Sequence, residues 1–159
     1  MFNKTGWILV GLNLFMAVGS GLFFLVFERL DIVSWLVVNT CALAILFFAA
    51  GFYFKRSGLI GFSIPWLLFY GGGGLMVFKW GLEPAFLIPQ IGHLIMTATV
   101  IYSLVFIGLK GNWKYGLAGF AAGLLVLFIA FPWQQNYQRQ HPEILKHLQF
   151  KEGYSPLDN

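Results

Sequence analysis

The sequence predicts an all-α, polytopic integral membrane protein: a bundle of five transmembrane helices with short loops and a polar C-terminal tail. Composition is the first ground. Charged residues make up 10% of the chain and hydrophobic residues 58%, where a soluble domain carries about 25% charged residues. The second ground is spacing. The charges leave uncharged runs at 5–27, 32–54, 57–78, 84–109 and 115–138, which are 23, 23, 22, 26 and 24 residues long. Roughly 20 apolar residues in a helix cross the hydrocarbon of a bilayer. Third, Trp7, Trp80, Trp113 and Trp133 fall at the ends of these runs, where aromatic belts form. The short alternating pattern of an outer-membrane strand is absent. Spans are expected at about 6–27, 32–54, 58–78, 84–109 and 115–133, as one bundle over 1–133, with an extramembrane tail over 134–159. Loops this short make consecutive spans antiparallel neighbours.

Span 1 imitates a secretory leader, with Lys4 ahead of an apolar run and the small residues Ala17-Val18-Gly19-Ser20. The run continues to Phe27, too long for a leader's apolar region, so it reads as a retained span. Asn13 on span 1 and Asn39 on span 2 are expected to hydrogen-bond between helices. Cys41 on span 2 is the single cysteine, which excludes an intramolecular disulfide and a Cys-x-x-Cys relay.

Span 3 contains Pro65 and then Gly71, Gly72, Gly73 and Gly74. Proline removes a backbone donor and glycine weakens a helix. A departure from regular α-helix is therefore expected between Ser63 and Gly74, with the glycines turned toward protein. On that reading, leucine at Gly72 or Gly73 damages assembly.

Span 4 places Gln90, His93 and Thr97 on one face, and the small residues Ala85, Gly92, Thr99 and Ser103 on the other. His93 is the one ionisable side chain well inside a span. The stripe is expected to point into the bundle, toward Asn13 or Asn39, because an unpaired polar group in hydrocarbon costs roughly 2–7 kcal/mol. Interhelical glue is the first reading of His93, ligand or proton handling the second, and metal or haem ligation the last. His141 and His147 sit six residues apart, on different faces of any helix, and no carboxylate lies deep in a span. No metal, cofactor or catalytic residue is expected.

Span 5 opens with Gly116, Gly119 and Gly123, overlaid by Ala118 and Ala122. This pattern permits a close helix crossing, either within the chain or between protomers. In the tail, residues near 142–150 can form a short amphipathic helix, with Pro142 at its first position.

The net charge of +4 comes from dispersed basic residues, which excludes a nucleic-acid surface. Lys4, Lys55, Arg56, Lys110 and Lys114 share one side, against Arg29 and Lys79 in the short segments of the other, so the N-terminus is expected inside and the C-terminus outside. A bacterial inner membrane is the working expectation for compartment. No phosphate loop, His-Glu-x-x-His, nucleophile elbow or dinucleotide pattern occurs. The expected function is that of a non-catalytic accessory or assembly subunit, with the lipid bilayer and other membrane subunits or further copies of itself as partners. The alternative is a small oligomeric transporter or channel using the span 4 stripe and the span 3 break. A membrane enzyme acting on a lipid or quinone ranks third, for want of a paired acid and base.

Overall fold

The computed structural model describes residues 2–27, 29–77, 80–82, 84–110, 112–142 and 144. Its elements are α1 (Phe2–Leu22), continued by a π-turn at Phe23–Phe27; α2 (Ile32–Val38); α3 (Thr40–Tyr53); α4 (Ser57–Leu67), continued by a π-turn at Leu68–Gly72; α5 (Gly73–Val77); α6 (Pro84–Leu109); and α7 (Trp113–Gln140). Among the described residues every regular element is helical, and the chain is an all-α polytopic membrane bundle. Four helices are long and apolar enough to span a bilayer, and α2 with α3 makes a fifth span if the bent pair is counted as one.

Span 2 is where expectation and structure part most clearly. In place of one helix over 32–54, the chain leaves helical geometry at Asn39, with φ −113° and ψ 44°, and the axes of α2 and α3 differ by 80°. The 14 residues of α3 are about 21 Å long at 1.5 Å per residue, short of the ~30 Å core. Span 5 is corrected in the other direction. Its helix does not stop at Trp133: α7 runs on to Gln140, so the first residues assigned to the tail are its last two turns. Most of the amphipathic helix expected near 142–150 lies outside the described residues, as do Lys79, Glu83 and His147.

Helix ends are made by recognisable local chemistry. Asp31 caps α2, its carboxylate accepting from the backbone N–H groups of Val33 at 2.9 Å and Ser34 at 3.0 Å. At the end of α3, Lys55 adopts φ 55°, the Arg56 N–H donates to the Gly51 carbonyl at 2.8 Å, and the Lys55 N–H donates to Phe52 at 3.3 Å. Those are the two hydrogen bonds of a Schellman closure. Arg29, at φ 53°, plays the same part after α1, where the Leu30 N–H reaches the Phe24 carbonyl at 3.0 Å. That ring is one residue wider because the helix ends in a π-turn.

α4 is the central helix, with eight of its 11 residues buried. Phe48 of α3 and Ile60, Ile64 and Leu67 of α4 form the core, with Val10, Met96, Val100 and Leu127 packed around them. Among the described glycines, those in the contact of α4 with α7 lie closest to a neighbouring backbone. A Cβ on Gly119 would lie 1.9 Å from the Gly58 carbonyl oxygen, one on Gly61 2.1 Å from that of Gly116, and one on Gly123 2.2 Å from that of Phe62. The helices run parallel there, backbone against backbone, at the range of Cα–H···O contacts. Gly6 of α1 sits beneath the rings of Phe52 and Tyr102. This places the start of α1, the end of α3 and the end of α6 at one end of the bundle. The end of α7 lies at the other, where Tyr137 faces Ser34 of α2.

Two predictions follow from these contacts. Gly119→Ala drives a methyl into a backbone carbonyl and lowers stability by about 1–3 kcal/mol, whereas Gly19→Ala, with open space around it, is neutral or gains up to about 1 kcal/mol. Thermal unfolding of both variants in one detergent measures the contrast. The second concerns pH. The Asp31 carboxyl is held below its usual range, chiefly by the hydrogen bond from the Ser34 side chain. Its stabilisation is therefore present above the unfolded carboxylate pKa and is lost as pH falls through the lower folded value. Asp31→Ala costs about 0.5–2 kcal/mol at neutral pH, and the gap to the parent closes on acidification, as read from unfolding midpoints across a pH series.

Candidate functional site: two broken helices and a polar seam

The polar side chains of span 4 divide between the two faces of α6. Gln90 is buried, 1% exposed, and neither atom of its amide has a hydrogen-bond partner. His93 is half-buried, with its ring against the backbone of α5: a Cβ on Gly74 would lie 2.5 Å from His93 Nε2. Thr97 turns its hydroxyl back to the His93 carbonyl at 2.9 Å and so spends it within its own helix. The three residues share a face, but no hydrogen bond joins any of them to Asn13 or Asn39 among the described residues.

Those two asparagines find other partners. Asn13, buried at 1% exposure, donates to Thr99 Oγ1 at 2.7 Å and to the Leu9 carbonyl at 2.8 Å. It therefore meets the small-residue face of α6, where Met16 also approaches Gly92. The small face allows α1 to come close enough for that hydrogen bond, which the opposite, bulkier face does not. Asn39 sits at the bend and accepts from Ser20 Oγ at 2.6 Å, tying the bend to α1.

The break in span 3 falls at Leu68–Gly72. Pro65 does not end α4; it is a buried residue inside it. The four glycines do not behave alike. Gly71 faces α6, where a Cβ would lie 2.8 Å from Met96 Cβ, and Gly74 faces His93. Gly72 meets only Leu68, at 3.6 Å, and Gly73 has nothing within 4 Å. The expectation that all four are packed on protein is corrected: consecutive residues of a helix point in different directions, and only Gly71 and Gly74, three apart, share the face toward α6.

Gln134, which the sequence places at the start of the tail, is the residue that sequence reasoning missed. It is buried on α7 and bridges both broken helices. Its Nε2 donates to the Val37 carbonyl at 2.6 Å, and its Oε1 accepts from the Tyr70 hydroxyl, which lies inside the π-turn. Thr40 Oγ1 donates to the carbonyls of Leu36 and Val37 at 3.0 and 3.1 Å. The last four carbonyls of a helix have no intrahelical donor, and these side chains supply donors to two of them at the end of α2. The available signal was a polar residue continuing the apolar period of span 5: Gln134 stands seven residues after buried Leu127 and 11 after buried Gly123.

Chemically, the seam holds amides, hydroxyls and one imidazole. Among the described residues there is no cluster of three His, Cys, Asp or Glu that could hold a metal ion. The glycines of span 5 have a partner inside the chain, the Gly58–Phe62 stretch of α4. Ala118, Ala121 and Ala122 of the same helix are exposed.

The contrast within the glycine run is testable. Gly71→Ala is expected to lower stability by about 1–3 kcal/mol through its contact with Met96, and Gly73→Ala to leave it unchanged or raise it slightly. Unfolding midpoints in detergent, or retention of fold after a heat step, separate the two.

No protein-family model, curated protein or solved structure matches this chain.

Proposed function

We propose that the protein is a small non-catalytic accessory or assembly subunit of a larger membrane complex. The observation that carries this reading is how α7 uses its two small-residue faces. Its glycines are spent on α4 inside the chain, and Ala118, Ala121 and Ala122 are left exposed beside Leu117 and Leu125. Small side chains facing outward let a second helix approach closely, and association in lipid relies on such packing. The polar side chains support the same reading. Asn13, Ser20, Asn39, Tyr70 and Gln134 are engaged in joints between helices, as befits a scaffold. The bilayer and a membrane subunit, or a second copy of the chain, are its partners. The inner membrane of a bacterium, with the basic end of the bundle inside, fits the placing of Lys55, Arg56, Lys110 and Lys114 around the α3–α4 and α6–α7 turns.

A second reading, a small oligomeric transporter or channel, is favoured by one specific observation: two discontinuous helices meet at Gln134, and irregular helices line substrate sites in transporters. Gln90, buried with both amide atoms unpaired, is then the group to offer a polar solute.

Extraction in mild detergent followed by native mass spectrometry separates the readings. Stoichiometric co-purifying subunits, lost in Ala118→Leu and Ala122→Leu while the unfolding midpoint moves by less than about 1 kcal/mol equivalent, support the accessory role. A lone chain that carries a solute across proteoliposome membranes, and loses that flux on Gln90→Leu, supports the second.

A further inference from the structure

We infer that Gln134 is a latch that couples the bend of the second span to the π-turn of the third, making the two breaks one conformational switch. At the bend, α2 has seven residues, too few to hold a helix by its own propensity, so its position depends on what grips it. Asp31 caps its start, the Ser34 hydroxyl lies 3.5 Å from that of Tyr137, and Gln134 and Thr40 hold the Val37 carbonyl at its end. At the other end of the same amide is Tyr70, third of the five residues of the π-turn. The next residue, Gly71, rests on Met96, and Gly74 rests on His93. One side chain of α7 therefore fixes the end of α2 relative to the π-turn, and through it relative to α6. An amide meets this demand because it donates at one atom and accepts at the other.

The unpacked glycines indicate that the joint moves. A π-turn carries one extra residue in its ring and returns to α-helix by a one-residue shift of register. Such a shift sweeps the following residues round the helix axis, and any side chain there is carried into a neighbour. Gly72 and Gly73 have almost nothing near them, so close packing does not explain why they are glycines. Freedom to change register does. In the latched state Tyr70 is held by Gln134, with the Thr40 side chain also at its hydroxyl, and the π-turn stays. Released, α2 swings about Asn39 and the π-turn relaxes into the run of glycines.

The test is a distance measurement on the full chain in lipid nanodiscs. With Cys41→Ala as background, spin labels at the exposed positions Val33 on α2 and Asn136 on α7 report the swing by double electron–electron resonance. The parent is expected to give one dominant distance, and Gln134→Leu a second population of at least a fifth of the molecules. Adding Gly72→Ala and Gly73→Ala to Gln134→Leu, which stiffens the π-turn, should cut that second population by half or more. Tyr70→Phe, which removes one hydroxyl and keeps the ring, should move the distribution the same way by a smaller amount and serves where Gln134→Leu does not fold. A parent-like single distance in Gln134→Leu, or in Tyr70→Phe where it stands in, overturns the latch. A second population indifferent to the two alanines overturns the coupling.

Discussion

The bundle depends on two backbones touching. Along the parallel contact of α4 and α7, the Gly58, Gly116 and Phe62 carbonyls lie where a side chain on the opposing glycine would otherwise stand. In lipid there is no hydrophobic drive to press helices together, since lipid tails are as apolar as leucine. Dispersion and weak Cα–H···O contacts have to do it, and both fall off steeply with separation. Glycine at three positions on α7 and at Gly58 and Gly61 on α4 brings the axes close over the first two turns. With α7 fixed against the central helix, its far end has a defined place, and Gln134 arrives opposite Tyr70 and the end of α2.

That far end is where regular structure is given up. α1 ends in a π-turn, the second span bends at Asn39, and α4 widens at Leu68. All three departures lie toward the same end of the bundle, and the bend of the second span and the π-turn of the third come with side-chain partners. Leu36 and Val37 carbonyls take Thr40 and Gln134, and Ser20 takes Asn39. Non-helical backbone near a membrane is tolerated only when its polar groups are met by protein or water, and Thr40 and Gln134 meet that condition for the two carbonyls at the end of α2. The opposite end is regular and held by aromatic packing: Trp7 stands edge-on to Phe52 at 5.3 Å, with Tyr102 and Phe106 beside it. A stiff end and an articulated end give the molecule a direction.

The partners of the polar residues follow from helix faces more than from depth. Asn13 and Gln90 are equally buried. Asn13 faces the small side of α6 and has a hydroxyl within reach, while Gln90 has none. An amide left unpaired like this carries a cost of roughly 1–3 kcal/mol on the protein scale, and Gln90 differs from Asn13 in having neither its donor nor its acceptor engaged.

The sequence by itself determined the class of protein and the number of apolar runs, because the gap between charges is a property of the chain and the thickness of hydrocarbon is a property of the solvent. It also placed a departure within 63–74 and a close crossing at Gly116, Gly119 and Gly123, since proline and glycine act on the backbone locally. Tertiary structure decided the rest. The polar pair Asn39-Thr40 is the local mark of the 80° bend, Thr40 bonding the Leu36 and Val37 carbonyls; that the chain bends there is decided with Gln134, some 95 positions away, which also donates to Val37, and Ser20 of α1, which donates to the Asn39 side chain. For the same reason Gln134 read as the first residue of a tail, and which members of the glycine run are packed was settled only by the face that the helix turns to α6, which takes Gly71 and Gly74 and leaves Gly72 and Gly73 open. Which small face of α7 meets its own chain, and which asparagine meets α6, depends on how helices are rotated against each other, and that rotation is set by contacts between residues far apart in sequence.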